Sequence, residues 1–150
     1  MTTTLLPIRR LERSDWSEWL RMSRALFEGA SIEEDDEEMQ EFFGRSDAAV
    51  FGIDRGDGAL GGFIEVGARS ISDGCRTSPV GYIEAWYVDA DLRRKGYGRR
   101  LIDAAENWSR SQGYTEIGSD ALLDNEISHA AHRQLGYQEV DKVIVYRKDL

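Results

Sequence analysis

The stretch Val80–Trp108, VGYIEAWYVDADLRRKGYGRRLIDAAENW, joins an apolar segment to an amphipathic one through a cationic loop. Its first part, VGYIEAWYVDA, is apolar nearly throughout, which is typical of a central strand covered on both faces. Its last part carries apolar residues at the spacing of one helical face: Tyr97, Leu101, Ala104, Ala105 and Trp108. Between them lies RRKGYGRR, Arg93–Arg100, with five cations and two glycines. The stretch therefore predicts a buried strand, a cationic loop and a helix in direct succession.

The loop Arg93–Arg100, called the cationic loop below, has the features of an anion site. The first backbone N–H groups of a helix have no partner within it, and Gly96 and Gly98 let the backbone turn tightly and approach a phosphate. Cations at a helix N-terminus oppose the helix dipole and cost roughly 0.3–1 kcal/mol each unless an anion offsets them. A solvated basic helix start is the alternative. The loop contains neither the G-x-G-x-x-G nor the G-x-x-x-x-G-K-[ST] phosphate pattern.

Outward from this stretch, the sequence predicts the element order β α α β β β α β α β β. LLPIRRL is typical of a strand, and two helices follow in SDWSEWLRMSRALFEG and SIEEDDEEMQEFFG, the second with Ser31 and Glu34 at capping-box spacing. AAVFGID and GALGGFIEVGAR flank the turn signal RGDG and predict a β-hairpin. The strand YTEIGSDAL, the helix NEISHAAHRQLG and the strands YQEV and VIVYRKDL complete the chain. This order predicts a mixed α/β sheet with about four helices on its faces.

The composition predicts a single domain over residues 1–150 and limits its partners. The chain has 28 acidic and 19 basic residues and a net charge of -9, which disfavours nucleic acid or an anionic membrane and favours a cationic small molecule or a basic protein. One cysteine, Cys75, and two histidines give no reason to expect a disulfide or a metal site. No signal-peptide pattern or long apolar run is present, so we expect a cytoplasmic protein.

Arg93-x-x-Gly96-x-Gly98 resembles the acetyl-CoA pyrophosphate loop of the GNAT acetyltransferases, and the element order matches that fold along nearly the whole chain. The resemblance sharpens from GYIEAWYVDADLRRKGYGRR to HRQLGYQEV, which looks like the C-terminal half of aminoglycoside 6'-N-acetyltransferases, including the SDA strand end, DNEISH and H-x-x-L-G-Y. The N-terminal half agrees in layout and in DGCRTSP. The resemblance implies acetyl transfer from acetyl-CoA to the 6'-amine of an aminoglycoside, and hence antibiotic resistance.

The resemblance also implies which residues hold acetyl-CoA. Trp86, Tyr87 and Val88 are expected beside the pantetheine arm, pairing with it through backbone groups as an added strand does. The pyrophosphate is expected on the cationic loop, through Arg93, Arg94, Lys95, Gly96, Tyr97, Gly98 and Arg99. Asn125 corresponds to a side-chain amide that contacts the cofactor arm in the family. On sequence grounds alone Asn125 serves equally well as the N-cap of the following helix.

Two carboxylates are candidates for the acceptor amine. Asp120 ends a predicted strand, and Glu84 lies within an apolar strand, where an unpaired carboxylate is expensive to bury. The resemblance implies that both contact the amine, with Asp120 as the base that takes its proton directly or through water. The alternatives are a strand-end aspartate bonded to a backbone N–H, and a structural ion pair between Glu84 and an arginine. Backbone N–H near Val88 is expected to polarise the thioester carbonyl.

The remaining candidate residues mark departures from the family. His132 stands where the wider fold family carries tyrosine, and it is either a proton donor to the leaving thiolate or a packed helix histidine. Related aminoglycoside enzymes present Trp and Tyr to the sugar rings, whereas this sequence has Phe27 and Ile71, and Ile71 has no hydroxyl. Asp141 aligns with a further acidic substrate contact of the family, and on sequence grounds alone it is a solvated charge near a β turn. Cys75 raises the alternative of an acetyl-cysteine intermediate, but a lone loop cysteine is more often incidental, so direct attack is expected.

Several interpretations stay open at the level of sequence. The six acids Glu33–Glu38 are either a solvated helix face or one wall of a cleft that attracts a polycation. The final strand VIVYRKDL is either a capped edge or a pairing surface for a second subunit, and the resemblance implies a homodimer. The competing functions are acetylation of another cationic amine, such as a polyamine or a protein N-terminus, a non-catalytic CoA-binding sensor, and an interaction module without a cofactor.

Overall fold

Five strands form one mixed sheet within residues 4–150, the part of the chain that this computed structural model describes. They are β1 (Ile8–Arg10), β2 (Ala48–Gly56), β3 (Ala59–Arg69), β4 (Val80–Val88) and β5 (Ile117–Ser119), and they lie side by side in sequence order. The first four are antiparallel, whereas β5 runs parallel to β4 because α3 crosses over between them. The predicted β-hairpin is β2–β3, and the predicted mixed sheet is confirmed.

Four α-helices accompany the sheet in the same residues: α1 (Trp16–Leu26), α2 (Ile32–Phe43), α3 (Tyr97–Ser111) and α4 (Glu126–Gln134). The predicted capping box begins α2, since Ser31 Oγ accepts a bond of 3.1 Å from the Glu34 N–H while Glu34 bonds back to the Ser31 N–H. Within residues 4–150 no helix combines the length and the apolar character that crossing a membrane requires.

Both faces of the central strands are covered, as the apolar β4 sequence predicts. On one face α3 packs Leu101, Ile102 and Ala105 onto Ile64 and neighbouring side chains. On the other face α1 and α2 pack Trp19, Met22 and Met39 onto Phe63 and Ala85. Each large side chain buried in this way contributes about 1.5–3 kcal/mol of apolar transfer free energy. These two cores hold β4 rigidly between the helices.

The strands β4 and β5 diverge halfway along β4. Their pairing ends at Ile83 and Ser119, while β4 continues to Val88 with no further strand on that side among the described residues. Glu84 follows at once as an extra residue, because Glu65 of β3 pairs with Ala85 and Val66 pairs with Ile83. Such a bulge bends a strand and re-aims its side chains. We call the gap between β4 and β5 the fork.

The two strands predicted after α4 are wrong. Residues 138–150 form neither helix nor strand, and Ile144, Val145 and Tyr146 are 78%, 88% and 85% exposed. A strand requires a neighbouring ladder to satisfy its backbone, and this segment forms no ladder with any strand in residues 4–150. The predicted first and fifth strands form, but over three residues each.

Candidate active site

The cationic loop leads from β4 directly into the N-terminus of α3. Arg94 and Gly96 both adopt left-handed backbone conformations, with φ of 61° and 87°. Such a conformation is strained for arginine and easy for glycine, and it turns successive N–H groups into a concave surface that suits an anion. Gly96 is the N-cap of α3 and offers no side-chain cap, so the helix start is left for other partners.

The cations of this loop divide into two groups. Arg93 folds back, donating from Nε to the Val88 carbonyl at 2.8 Å, and Arg100 donates to the Leu6 carbonyl. Arg94, Lys95 and Arg99 are exposed and form no ion pair with any described residue, although the chain carries a net charge of -9. Three unpaired cations at one helix N-terminus are explained by an anion that binds there.

Tyr97 is not part of the exposed surface of the loop. It is the first residue of α3, its side chain is buried in the core between α3 and the sheet, and its hydroxyl accepts a bond of 2.9 Å from the Leu6 N–H. Its contribution to an anion site is therefore limited to its backbone.

Gly98 lies directly against the Trp86 ring. A Cβ at position 98 would come within 3.1 Å of that ring. The indole Nε1 of Trp86 is buried and has no hydrogen-bond partner among the described residues. An unmet buried donor costs about 1–3 kcal/mol, so a polar group is expected to fill this position in the working protein. The close-packed glycine, the unmet donor and the unpaired cations together fit the acetyl-CoA implied by the resemblance.

The outer edge of β4 suits an extended ligand. Trp86, Tyr87 and Val88 pair with β3 on one side and face the fork on the other. A pantetheine arm carries two amides, which an open strand edge can bind in the manner of an added strand.

Glu84 and Asp120 are linked through Arg69 and Tyr82. Arg69 donates to both carboxylate oxygens of Glu84, from Nε at 2.8 Å and from Nη2 at 2.7 Å. Its guanidinium lies 3.6 Å from the centre of the Tyr82 ring, and the Tyr82 hydroxyl donates to Asp120 Oδ2. Burial, and then the bond to Asp120, raise the pKa of Tyr82 above its ordinary range, so this hydroxyl keeps its proton at any working pH.

This arrangement brings the two predicted carboxylates together and adds two residues that the sequence analysis missed. The ion pair considered as an alternative for Glu84 is present, with Arg69 as the arginine. Asp120 bonds to a tyrosine hydroxyl rather than to a backbone N–H. Arg69 lies 15 positions from Glu84. In the register of β3 and β4 it is opposite Val80, and its long side chain reaches along β4 to the bulged Glu84, so the contact is not visible in the sequence pattern.

His132 reaches the fork from α4. Its Nδ1 lies 2.7 Å from the Ser128 carbonyl, which can only accept, so Nδ1 carries the proton. Nε2 then accepts a hydrogen bond of 2.8 Å from the hydroxyl of Ser119, the residue at which β4 and β5 diverge. The rings of Trp86 and Tyr137 pack edge-on against the imidazole, both at 5.6 Å. Ser119 is the first residue of the SDA strand end, and no sequence spacing indicates its contact with His132.

Asn125 begins α4, and its Oδ1 accepts a bond of 3.1 Å from the Ser128 N–H. The N-cap interpretation is thus present in the structure, and the side-chain amide N–H groups stay available for a ligand.

The three predicted sugar contacts are all exposed. Phe27 is half exposed immediately after α1, and Ile71 is 80% exposed in the loop after β3. Asp141 is exposed in the segment 138–150 and accepts a bond from the neighbouring Lys142 N–H. The loop after β3 meets this segment at Gly74, where an added Cβ would overlap Val140. No contact among the described residues brings Asp141 to Glu84 or Asp120.

The acidic run of α2 has a structural half and an exposed half. Glu34 belongs to the capping box, Asp35 is buried in an ion pair of 2.6 Å with Arg24, and Asp36 accepts a bond of 2.7 Å from Trp16 Nε1. The exposed half consists of Glu33, Glu37 and Glu38.

Glu65 on β3 is a further carboxyl that the sequence analysis missed. It is largely buried, and its Oε2 accepts a bond of 3.1 Å from Trp19 Nε1. Burial raises the pKa of Glu65 to about 7, and repulsion from Glu84 and Glu38 acts in the same direction. Within residues 4–150 no group of three or more His, Cys, Asp or Glu side chains is arranged to hold a metal ion.

Comparison with known proteins places the fold in a wider context. Residues 9–137 match the model described as the acetyltransferase (GNAT) family. The aminoglycoside N(6')-acetyltransferase type 1 of Klebsiella aerogenes is 36% identical over 146 residues, which are 95% of this chain and 96% of the relative. The corresponding protein of Stenotrophomonas maltophilia is 34% identical over 146 residues, covering 95% and 93% of the two chains.

Solved structures agree with these relatives. The apo aminoglycoside antibiotic 6'-N-acetyltransferase AAC(6')-IG from Acinetobacter haemolyticus is 34% identical, with a TM-score of 0.88 over 97% of this chain and 99% of its own. AAC(6')-Iy, in complex with the bisubstrate analog CoA-S-monomethyl-acetylneamine, is 28% identical, with a TM-score of 0.90 over 98% and 100% of the two chains. The similarity therefore extends over nearly the full length of the chain.

Proposed function

The chain belongs to the acetyltransferase (GNAT) family, and we propose that it transfers the acetyl group of acetyl-CoA to the 6'-amine of aminoglycoside antibiotics by direct attack, thereby conferring resistance. The observation that carries this proposal is the pair Glu84 and Asp120, linked through Arg69 and Tyr82 where β4 and β5 diverge, on the strand that leads into the anion site. Two carboxylates at the end of an open strand edge suit a cationic acceptor. The names of the relatives indicate aminoglycosides as that acceptor.

The cofactor residues follow from the fit described above. Arg94, Lys95 and Arg99 neutralise the pyrophosphate together with the N–H groups at the start of α3 and the backbone of Arg93, Gly96, Tyr97 and Gly98. Trp86, Tyr87 and Val88 bind the pantetheine amides along the open edge of β4, and the amide of Asn125 contacts the same arm from α4. When bound, acetyl-CoA supplies a thioester, whose carbonyl is polarised by a backbone N–H near Val88.

The acceptor amine is prepared by the carboxylates. Glu84 binds it as an ammonium, and Asp120 takes its proton, directly or through water, so that the nitrogen lone pair is free to attack. The hydroxyl of Tyr82 keeps Asp120 oriented towards the fork. Phe27, Ile71 and Asp141 form the outer contacts with the sugar rings.

The leaving sulfur receives its proton through Ser119. The attacking nitrogen releases its second proton to water as the amide forms. As the carbon–sulfur bond breaks and its electron pair moves to sulfur, Ser119 gives its hydroxyl proton to sulfur. It takes a proton in return from Nε2 of His132 in the doubly protonated form of the ring, in which Nε2–H donates to Ser119 instead of accepting from it, and the ring regains that proton from water. His132 retains its Nδ1 proton on the Ser128 carbonyl, so the ring does not turn during the transfer. Histidine suits this step because it gains and loses protons near neutral pH.

The assembly of the protein is proposed from the same observations. We propose one GNAT domain over residues 1–150, acting in the cytoplasm where acetyl-CoA is made. The outer edge of β5 lacks a strand among the described residues, and Val143–Tyr146 is an exposed apolar run without a ladder. A homodimer in which the run Val143–Tyr146 of each chain pairs with the β5 edge of the other would satisfy both the free edge and the unpaired run. Ile144→Asp is expected to yield monomers by analytical ultracentrifugation, whereas Lys148→Ala is expected to stay dimeric.

A second candidate is acetylation of a different cationic amine, such as a polyamine or a protein N-terminus. The observation that favours it is the replacement of Trp and Tyr by Phe27 and Ile71, which removes a hydroxyl from the sugar contacts. Competition by a panel of amines against kanamycin separates the two candidates.

The test is thiol release from acetyl-CoA at pH 7.5 with kanamycin, for the wild type, Asp120→Ala and the control Asp103→Ala, which removes an exposed acid from α3. We expect turnover by the wild type and the control, and its collapse in Asp120→Ala. Acetyl-CoA binding without turnover of kanamycin would contradict the first candidate and favour the second, acetylation of another cationic amine. A chain that binds no CoA would contradict both.

A further inference from the structure

Arg69 lies at the centre of the acceptor site, yet neither the anion site nor the proton transfers require it. It donates to both oxygens of Glu84 and covers the face of Tyr82, whose hydroxyl bonds Asp120. Its side chain is 41% exposed, against 26% for Glu84, so the guanidinium forms the outer wall of the pair. It is the last residue of β3, and the exposed loop that contains Ile71 follows it.

The position of Arg69 conflicts with the binding of a second cation. A two-point guanidinium–carboxylate pair uses the lone pairs of Glu84 that point most directly outwards. An ammonium that contacts Glu84 as well then lies within a few ångströms of the guanidinium, and like charges at that distance repel, the more so in a site shielded from water. The acceptor ammonium and Arg69 therefore compete for Glu84.

We propose that Arg69 is a specificity-determining residue: an internal cation that occupies Glu84 in the free enzyme and is displaced by the ammonium of the acceptor. The inference rests on the proposed function, in which Glu84 binds that ammonium. Displacement is open to Arg69 because its solvent-facing side allows it to swing outwards without unpacking a core. The cost of breaking the ion pair is the same for each acceptor. An acceptor that carries several charges has further contacts that keep its binding strong despite that cost, whereas a monoamine has none. Arg69 thus sets a threshold of affinity that polycationic acceptors pass.

The opposite role for Arg69 makes opposite predictions. If the guanidinium merely holds Glu84 in place while the acceptor binds beside it, removing it disorders Glu84 and weakens every acceptor. If it competes, removing it strengthens the binding of both acceptors by a similar factor, because both are relieved of the same displacement cost. Removing the charge of Arg69 also changes the net charge of the group Glu84, Asp120 and residue 69 from -1 to -2. Acceptor binding therefore becomes more sensitive to salt.

The experiment compares Arg69→Gln, Arg69→Lys and the wild type with two acceptors that share a primary 6-amine. These are kanamycin, which is polycationic, and 6-amino-6-deoxyglucose, which carries one charge. Arg110→Gln removes the same charge from an exposed helix face and is the matched control. The acceptor dissociation constants are measured by calorimetry in the presence of CoA at two salt concentrations, together with KM and kcat for both acceptors and the thermal midpoint of each variant.

For Arg69→Gln we expect the dissociation constants of the monoamine and of kanamycin both to fall by a similar factor of about tenfold, with the KM for acetyl-CoA unchanged. Arg69→Lys, which keeps the charge but loses the two-point pair, should lie between Arg69→Gln and the wild type. Unchanged or weaker binding of both acceptors to a folded Arg69→Gln overturns the proposal. Absence of kanamycin turnover by the wild type counts against the proposed function instead, and the binding constants still decide the role of Arg69.

Discussion

Ser119 and His132 share a hydrogen bond of 2.8 Å at the point where β4 and β5 diverge. The Ser128 carbonyl accepts a bond from Nδ1–H of the ring, so Nε2 faces the serine and accepts the bond from its hydroxyl. The bond joins β5 to α4 across 13 positions of sequence. The histidine lies half-buried between the rings of Trp86 and Tyr137, and in the proposed mechanism this bond connects it to the leaving group.

Ser119→Ala is expected to lower kcat about a hundredfold, at the lower end of the usual range for a lost general acid, while the KM for acetyl-CoA changes little. Because both residues act in one step, the double variant Ser119→Ala, His132→Gln should be no slower than the slower single variant. Steady-state kinetics of the three variants tests this. Ser128→Ala is the control, since it keeps the carbonyl that orients His132. Full activity in Ser119→Ala would remove Ser119 from the proton transfer, and full activity in His132→Gln would assign His132 a packing role only.

The local features of this site are those that the sequence predicts well. The capping box at Ser31, the hairpin over RGDG and the turn of the cationic loop depend on residues within about ten positions of one another, and all three appear in the structure. The strand β4 is likewise visible in the sequence because both its faces are apolar. Short-range patterns carry this information since helix and turn chemistry is set by neighbouring residues.

The features that sequence patterns do not contain are contacts between separate elements. Arg69 with Glu84 depends on the bulge in β4, and Ser119 with His132 depends on how α4 packs beside the fork, and neither is a periodic property. Apolar content alone predicts the last strand, although Val143–Tyr146 forms no ladder with the strands of the described residues. An apolar run specifies that a segment needs a partner, without specifying which chain provides it.

Glu65 is expected to make stability depend on pH in a direction opposite to that of most carboxylates. Its pKa is raised from the ordinary 4.5 to about 7, so the folded chain holds a proton that the unfolded chain has already released. The resulting stabilisation is fully present below pH 4.5 and is lost as the pH rises through about 7. The pKa difference corresponds to at most about 3 kcal/mol.

Glu65→Gln removes this dependence and keeps an oxygen for the Trp19 indole. We expect the free energy of unfolding of the variant, relative to the wild type, to rise by about 1–3 kcal/mol between pH 5 and pH 8.5. Urea unfolding at both pH values measures it, with the exposed Glu33→Gln as a control whose difference stays flat. A constant difference for Glu65→Gln would mean that this carboxyl is ionised throughout.

Gly98→Ala is expected to weaken acetyl-CoA binding about tenfold or more. Its methyl group would lie 3.1 Å from the Trp86 ring, so the ring must shift and carry its unmet Nε1 donor away from the fork. Isothermal titration with CoA measures the loss. Gly113→Ala is a control for backbone strain, because position 113 has a φ of 88° and open space around it at the far end of α3. Unchanged CoA affinity in Gly98→Ala would remove Trp86 from the cofactor site.

The exposed acids of α2 are expected to attract the acceptor. Glu33→Gln, Glu37→Gln and Glu38→Gln together leave the capping box, the Asp35 ion pair and the Trp16 bond intact, so the helix keeps its structural contacts. Because the lost attraction is screened by ions, the KM for kanamycin should rise severalfold at low salt and converge on the wild-type value at about 0.5 M salt.

Steady-state kinetics at both salt concentrations measures this effect, and the KM for acetyl-CoA should not change because the cationic loop lies at the far end of β4. The control removes the same number of charges elsewhere, as in Glu12→Gln, Asp103→Asn and Glu139→Gln. It distinguishes attraction by the acids of α2 from attraction by the net charge of -9 of the whole chain. If both triple variants raise the KM equally, the acids of α2 act only through net charge. If neither does, they are a solvated helix face, and Glu84 and Asp120 alone recognise the cation.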